Sequence, residues 1–203
     1  MSFVPEFLEF RESVNKIGNK RDALLIKTKY LTATRTSEII TSVCPSDRKT
    51  TTKVYGTFLK WKLDDFENEK ALVLKLAIAK RKEKELVFKS IGLPCNPKYE
   101  PWTLDLVRRI KETGNVTFGL TRQRVRQIVK KYFPYPKEIS RKYKNPLRHF
   151  RLTHLADPYG LTGDEIIRYA GWTFKSRYGV GQLDTYLHLG WREYFHKLLK
   201  RIG

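Results

Sequence analysis

The sequence is short of acidic side chains, with 21 Asp and Glu against 41 Lys and Arg and a formal net charge of +20 over 203 residues. That imbalance points to a polyanionic partner. No segment approaches the roughly 20 continuous apolar residues of a membrane-spanning helix, and the N-terminus carries no signal-peptide apolar core, so no membrane partner is expected. Cysteine is scarce. Cys44 and Cys95 form no Cys-x-x-Cys pair and have no histidines at zinc spacing, which excludes a zinc module or a disulfide scaffold. They read as reduced thiols of a cytoplasmic protein. There is no Walker-type phosphate loop and no acidic cluster suited to Mg²⁺. Internal repeats and low-complexity tracts are absent as well.

What remains is a chain with 40% apolar residues, enough for the core of one domain. Nucleic acid is the default partner. A basic ribosomal or chromatin-type protein without chemistry fits the charge equally well, so composition alone leaves the question open.

Periodicity gives a mostly helical (α+β) chain. Residues 5–16, with Phe7, Leu8 and Phe10 among charges, suggest a short helix, and residues 1–19 are a candidate linker remnant. From Lys20 to Leu31, Leu24, Leu25, Thr28 and Leu31 share one helical face. Ser37 can cap a further helix with Glu38 in its first turn. Thr51 to Leu59, Ala71 to Ala79 and Glu85 to Ile91 are rich in β-branched and aromatic residues or alternate, and predict three short antiparallel strands. Lys80 to Lys84 is the charged turn between the last two.

Helical periods return after Pro94. Trp102, Leu106 and Ile110 lie on one face of a helix that Gly114-Asn115 ends. Thr121 caps a helix with an apolar stripe of Val125, Ile128, Val129 and Tyr132; Arg122, Arg124, Arg126, Lys130 and Lys131 fall largely elsewhere. That basic face suits contact with a DNA backbone as well as plain solvation. Further helices are predicted at about 146–156, 163–171, 183–188 and 191–201.

Three strings carry candidate chemistry: Leu31-Thr-Ala-Thr-Arg35-Thr-Ser-Glu38, Asn145-Pro-Leu-Arg148-His149, and Gly171-Trp172 followed by Asp184-Thr-Tyr186-Leu-His188. Nucleophilic attack on a phosphodiester builds negative charge on its non-bridging oxygens. Guanidinium forks fixed on either side stabilise that charge best, and only a fold can bring Arg35 and Arg148 together.

In these strings the chain resembles the catalytic domain of the tyrosine recombinases, the phage-type integrase family, and is most similar in flavour to archaeal and viral members. The resemblance covers about residues 20–200. It implies a helical bundle with a small three-stranded antiparallel sheet, and Arg35 and Arg148 as the two catalytic arginines. Glu38 and His149 take supporting places. Asn145 stands where the family has histidine or lysine; an amide cannot take up a proton at neutral pH, so help for the nucleophile falls to water or is dispensed with. Trp172 matches a position at which some members donate an indole N–H to the phosphate. Tyr186 is the expected nucleophile, behind a loop containing Gly179 and Gly181, with Tyr178 and Tyr194 as alternatives. Lys80 matches the hairpin lysine that protonates the leaving oxygen, with Lys82 and Lys84 close by.

The resemblance further implies cleavage and rejoining of double-stranded DNA through a 3′-phosphotyrosyl intermediate, without metal or cofactor. It implies a monomer when free and a homotetramer on DNA, with the segment from Trp191 to Ile202 docking in trans or packing in cis. The separate N-terminal helical domain usual in the family is expected to be absent. A catalytically impaired DNA-binding protein of the same fold and a type IB topoisomerase-like relaxing activity remain as alternatives.

Overall fold

The computed structural model describes residues 4–40, 43–46, 51–54, 60–78, 88–134, 145–172 and 191–200. Among them are eight helices and two small sheets. The helices are α1 (Phe7–Asn15), α2 (Lys20–Thr32), α3 (Thr36–Ile39), α4 (Thr103–Thr113), α5 (Arg122–Tyr132), α6 (Pro146–Ala156), α7 (Gly163–Ala170) and α8 (Arg192–Leu198). The strands are β1 (Val43–Ser46), β2 (Thr51–Val54), β3 (Lys60–Phe66), β4 (Glu69–Ala77) and β5 (Phe88–Pro94). The mixed helix-and-strand class expected from the sequence is present.

Helix α2 is the centre of the helical body. Its N-terminus is capped by Asn19, whose side chain accepts from the Asp22 backbone N–H at 3.0 Å, a standard way to satisfy an orphan donor. Its buried surface is wider than the predicted stripe, because α1, α4 and α6 all pack against it. Leu25, Ile26, Thr28, Lys29, Tyr30 and Leu31 are all enclosed. Phe10 of α1 meets Tyr30, Trp102, Phe133 and Phe150, with ring centroids 4.6–6.0 Å apart. Residues considered as a linker remnant therefore supply core: Phe7, Phe10 and Val14 are buried on α1.

The three-stranded sheet has the order β3-β4-β5, antiparallel throughout. Its first strand is not the predicted one. Residues 51–54 instead pair with β1 in a separate hairpin, and Lys60–Phe66 takes the place beside β4. The alternation Trp61, Leu63 against Lys60, Lys62, Asp64 carried the strand signal, but its turn is Glu67-Asn68, both at positive φ, and lacks the glycine that usually marks a tight hairpin. The turn expected at 80–84 and the helix expected at 183–188 lie outside the described residues.

Register sorts the sheet into two faces. Leu72, Leu74, Leu76, Ile91, Leu93 and Lys89 share one; Val73, Gly92 and Phe66 share the other. On that second face lies α8, preceded by Trp191, whose ring meets Phe66 and Phe195 edge-on. Arg192 pairs with Asp64 at 3.2 Å, Lys197 with Glu165 at 2.7 Å, and Arg168 with Glu193. Helix α8 is thus clamped in cis, between its own sheet and α7.

Gly92 permits that docking. A Cβ built there would lie 2.1 Å from the Trp191 ring, far inside contact distance, and the indole of a docked helix has no room to withdraw. Gly92→Ala is expected to cost about 1–3 kcal/mol, the usual range for overpacking, read as a lower urea midpoint. Hydrogen exchange should locate the loosening in α8; an unchanged midpoint would mean that Trp191 does not seat on β5.

Candidate anion-binding site

The site begins with the end of α2. The last carbonyls of a helix have no intrahelical donor and need partners from elsewhere. Here the chain turns through Ala33 in the left-handed conformation, φ 45°. The carbonyls of Leu31, Thr32 and Ala33 accept from the Tyr169 hydroxyl, from Lys89 Nζ at 2.6 Å and from Arg148 Nη1 at 2.6 Å, respectively.

Helix α7 ends in the same place. Thr162 and Glu165 form a reciprocal capping box at its start. At its finish Gly171, φ 68°, lets the Gly171 and Trp172 N–H groups donate back to Arg168 and Ile167, the pattern of a Schellman turn. The carbonyls left over are those of Tyr169 and Ala170. They accept from Lys89 Nζ at 3.2 Å and Arg148 Nη2 at 2.8 Å. Two helix C-termini, each with a partial negative charge, therefore converge on the same two cations.

Arginine 35 enters from α3. It occupies the N-cap position expected of Ser37, and Glu38 holds it at both ends: the carboxylate accepts from the Arg35 backbone N–H at 2.7 Å and from Nη1 at 3.1 Å. Lys29, buried on α2, donates to Thr36 Oγ1 at 3.1 Å, and that hydroxyl donates to Asn145 Oδ1 at 3.4 Å. Trp172 lays its ring over Arg148, 5.3 Å from guanidinium carbon to centroid, and stays 41% exposed. His149 is half-buried on α6, one position beyond Arg148.

The fold thus gathers Arg35, Glu38, Asn145, Arg148 and Trp172. Lys80, Lys82, Lys84, Tyr178 and Tyr186 lie outside the described residues. Tyr194, the alternative nucleophile, is 1% exposed in the core against Tyr169, and burial pushes its hydroxyl well above the ordinary range. Arg122, Arg124, Arg126, Lys130 and Lys131 are exposed on α5, while Val125, Ile128 and Val129 are buried. Thr121 caps that helix, accepting from the Arg124 N–H at 3.1 Å, and α5 packs beside α3.

Lys29 and Lys89 are the residues that the motif comparison missed. Lys89 left a signal, since it shares the strand alternation of Ile91 and Leu93, which face the core. Lys29 left another, one turn beyond Leu25 on the buried side of α2. A lysine at a core-facing position needs a reason, and here the reason is a cluster.

Electrostatics show how the cluster is loaded. Lys89 is lowered to about 7, Lys29 to about 8 and Arg148 to about 10, chiefly by desolvation; Arg148 contributes to lowering both lysines, and Arg35 to lowering Lys89 and Arg148. Glu38 acts the other way on all three. Four cations therefore share one carboxylate among the described residues that act on this cluster. By contrast the groove between α2 and α4 mixes Lys20, Lys27, Arg108 and Arg109 with Asp105 and Glu112, and Lys27 is already paired to Asp105 at 2.7 Å. An anion is drawn to the first place, not the second.

At about 4 Å and an effective dielectric near 20, one pair of opposite unit charges gains ~4 kcal/mol. An anion seated among these cations offsets much of their burial cost. Comparison with protein-family models, with curated proteins and with solved structures returns no match for this chain.

The lysine shifts fix a pH dependence. Lys29 and Lys89 bind fewer protons folded than unfolded between about 7 and the ordinary lysine value of 10.5, so stability rises with pH across that window. Lys89 is faced by Arg148 from α6, Arg35 and Glu38 from the α3 turn, and Tyr169 from α7. Burial raises the Cys95 thiol, which works in the opposite sense above about 9. Without added polyvalent anions, the urea midpoint should climb from pH 7 to 9, and Lys89→Met should flatten the climb. A midpoint that falls over this range contradicts the burial of both ammonium groups in charged form.

Proposed function

We propose that this chain is a DNA strand-transfer enzyme of the tyrosine-recombinase type, acting on double-stranded DNA through a 3′-phosphotyrosyl intermediate. The observation that carries the reading is the meeting of Arg35 and Arg148, remote in sequence, in one cationic cluster in which Glu38 is the one carboxylate among the described residues that act on it. Such a pocket suits the charge that builds on a phosphate under attack, because its donors are fixed before the reaction begins.

In this mechanism the scissile phosphate sits between the Arg35 and Arg148 guanidinium groups, with the Trp172 indole donating from the side. Tyr186 Oη gives its proton to water and attacks phosphorus, and the bond to the 5′-oxygen breaks as Lys80 gives that oxygen a proton. A 5′-hydroxyl of a partner strand then attacks the phosphotyrosyl bond, restoring the diester and freeing the tyrosine. Phosphodiester energy is conserved in the covalent bond, so the step consumes no nucleotide. Helix α5, adjoining α3, lays its basic face along the flanking backbone. Four protomers on two DNA sites complete the reaction cycle.

A second reading rests on Asn145. Its Oδ1 accepts from Thr36, and the amide has no proton-accepting role to offer the tyrosine. A protein that grips DNA without cutting it would have this site. A topoisomerase-like activity shares the chemistry and differs only in the strand that is rejoined.

A nicked suicide duplex carrying the cognate site separates these readings. Wild-type protein should yield a DNA-linked species resistant to denaturant, Tyr186→Phe should yield none, and Arg35→Ala or Arg148→Ala should slow its formation by about 10²–10³. DNA binding without any adduct favours the second reading, whereas relaxation of supercoiled plasmid favours the third.

On α5, removing Arg124 and Lys130 together should reduce the slope of log affinity against log salt by roughly 1 per lost phosphate contact. An unchanged slope places the duplex elsewhere.

A further inference from the structure

Lys89 has a place in this site that no motif assigns. It is the second residue of β5, cross-strand from Leu76, 6% exposed, on the face that Ile91 and Leu93 give to the core. Its two recorded acceptors are the carbonyls of Thr32 and Tyr169. Those that hold Arg148 belong to the next residue in each helix end, Ala33 and Ala170. Lys89 and Arg148 are therefore two successive rungs between the same pair of helix termini. The stem of Lys89 is wedged as well: a Cβ on Gly171 would come within 3.0 Å of its Cδ and 3.1 Å of its Cβ, so the α7 turn closes directly over it.

We propose that Lys89 is a positioning residue for Arg148: as an ammonium it ties the ends of α2 and α7 at the spacing that presents the guanidinium to a phosphate group. Loss of the proton relieves the cost of a buried charge, but the neutral amine attracts two helix C-termini less, so Arg148 is held less firmly in place and the anion grip weakens. The inference rests on the reading of Arg148 as a phosphate ligand, but not on strand cleavage.

Sulfate is the probe, because its charge does not change between pH 6 and 9, and its affinity is read from the rise in melting temperature at constant ionic strength. Wild-type affinity should fall as pH rises through about 7–8, the range set by burial of Lys89 and Lys29. Lys89→Met should bind about tenfold more weakly at pH 6.5 and lose the lower part of the pH dependence. Lys89→Arg, which keeps its charge, should keep the wild-type affinity at pH 6.5 and lose the lower part of the fall, leaving only the part due to Lys29. In an Arg148→Ala background, Lys89→Met should change affinity little, since its effect passes through that arginine.

Equal losses in both backgrounds, or a wild-type affinity flat from pH 6 to 9, would overturn the proposal. If Lys89→Met fails to fold, Lys89→Arg decides the matter, since a fall identical to the wild-type one would equally overturn the proposal. Failure of the recombinase reading shows separately, as intact sulfate binding without a tyrosyl adduct; an adduct whose yield ignores Lys89→Met counts against Lys89 alone.

Discussion

The rest of the site depends on one convergence: the C-termini of α2 and α7 aim their last carbonyls at the same two buried cations. Neither helix can satisfy those carbonyls alone, and among the described residues neither cation is paired with a carboxylate of its own. Arg148 and Lys89 therefore fix how the ends meet, and the ends fix where Arg148 points. Arginine suits the outer rung, because its planar fork spans Ala33 and Ala170 at 2.6 and 2.8 Å and retains further donors for a ligand.

Support for the convergence runs deep into the core. Tyr169, whose carbonyl takes Lys89, donates its hydroxyl to Leu31 and accepts from Arg151 Nε at 3.4 Å. Arg151 is 1% exposed, pairs with Glu100 at 3.4 Å, and lies one helical turn from Arg148 on α6. Glu100 in turn takes Arg11 of α1 at 3.0 Å. A buried pair of this kind adds little net stability, since desolvation offsets its attraction. Its role here is orientation, linking α1, α6 and α7 to the end of α2. Around the pocket the balance of charge then favours an anion, because Glu38 is shared among Lys29, Arg35, Lys89 and Arg148.

Much of this was legible in the residues. Helix α6 lies where it was expected, at about 146–156, and a threonine cap with a regular stripe gave α5. Local signals of that sort survive folding because no tertiary contact opposes them. The first strand of the sheet was misplaced, since residues 51–54 have strand character yet pair with β1, and pairing is decided by contacts distant in sequence. Arg35, Glu38 and Arg148 were found through surrounding letters. Lys89 was not, because a lysine in a strand reads as a solvated edge until its face is known. Ser37 looked like the cap of α3, but Glu38 reaching back to the Arg35 N–H prevails by placing a carboxylate at that helix start.

The most direct test of the proposed function is the structure of this protein determined with a short DNA duplex. The account predicts a single phosphate within hydrogen-bond distance of both Arg35 and Arg148, roofed by Trp172, with Lys89 still joining Thr32 and Tyr169 beneath. A duplex lying along α5 with no phosphate in reach of Arg148 would contradict it.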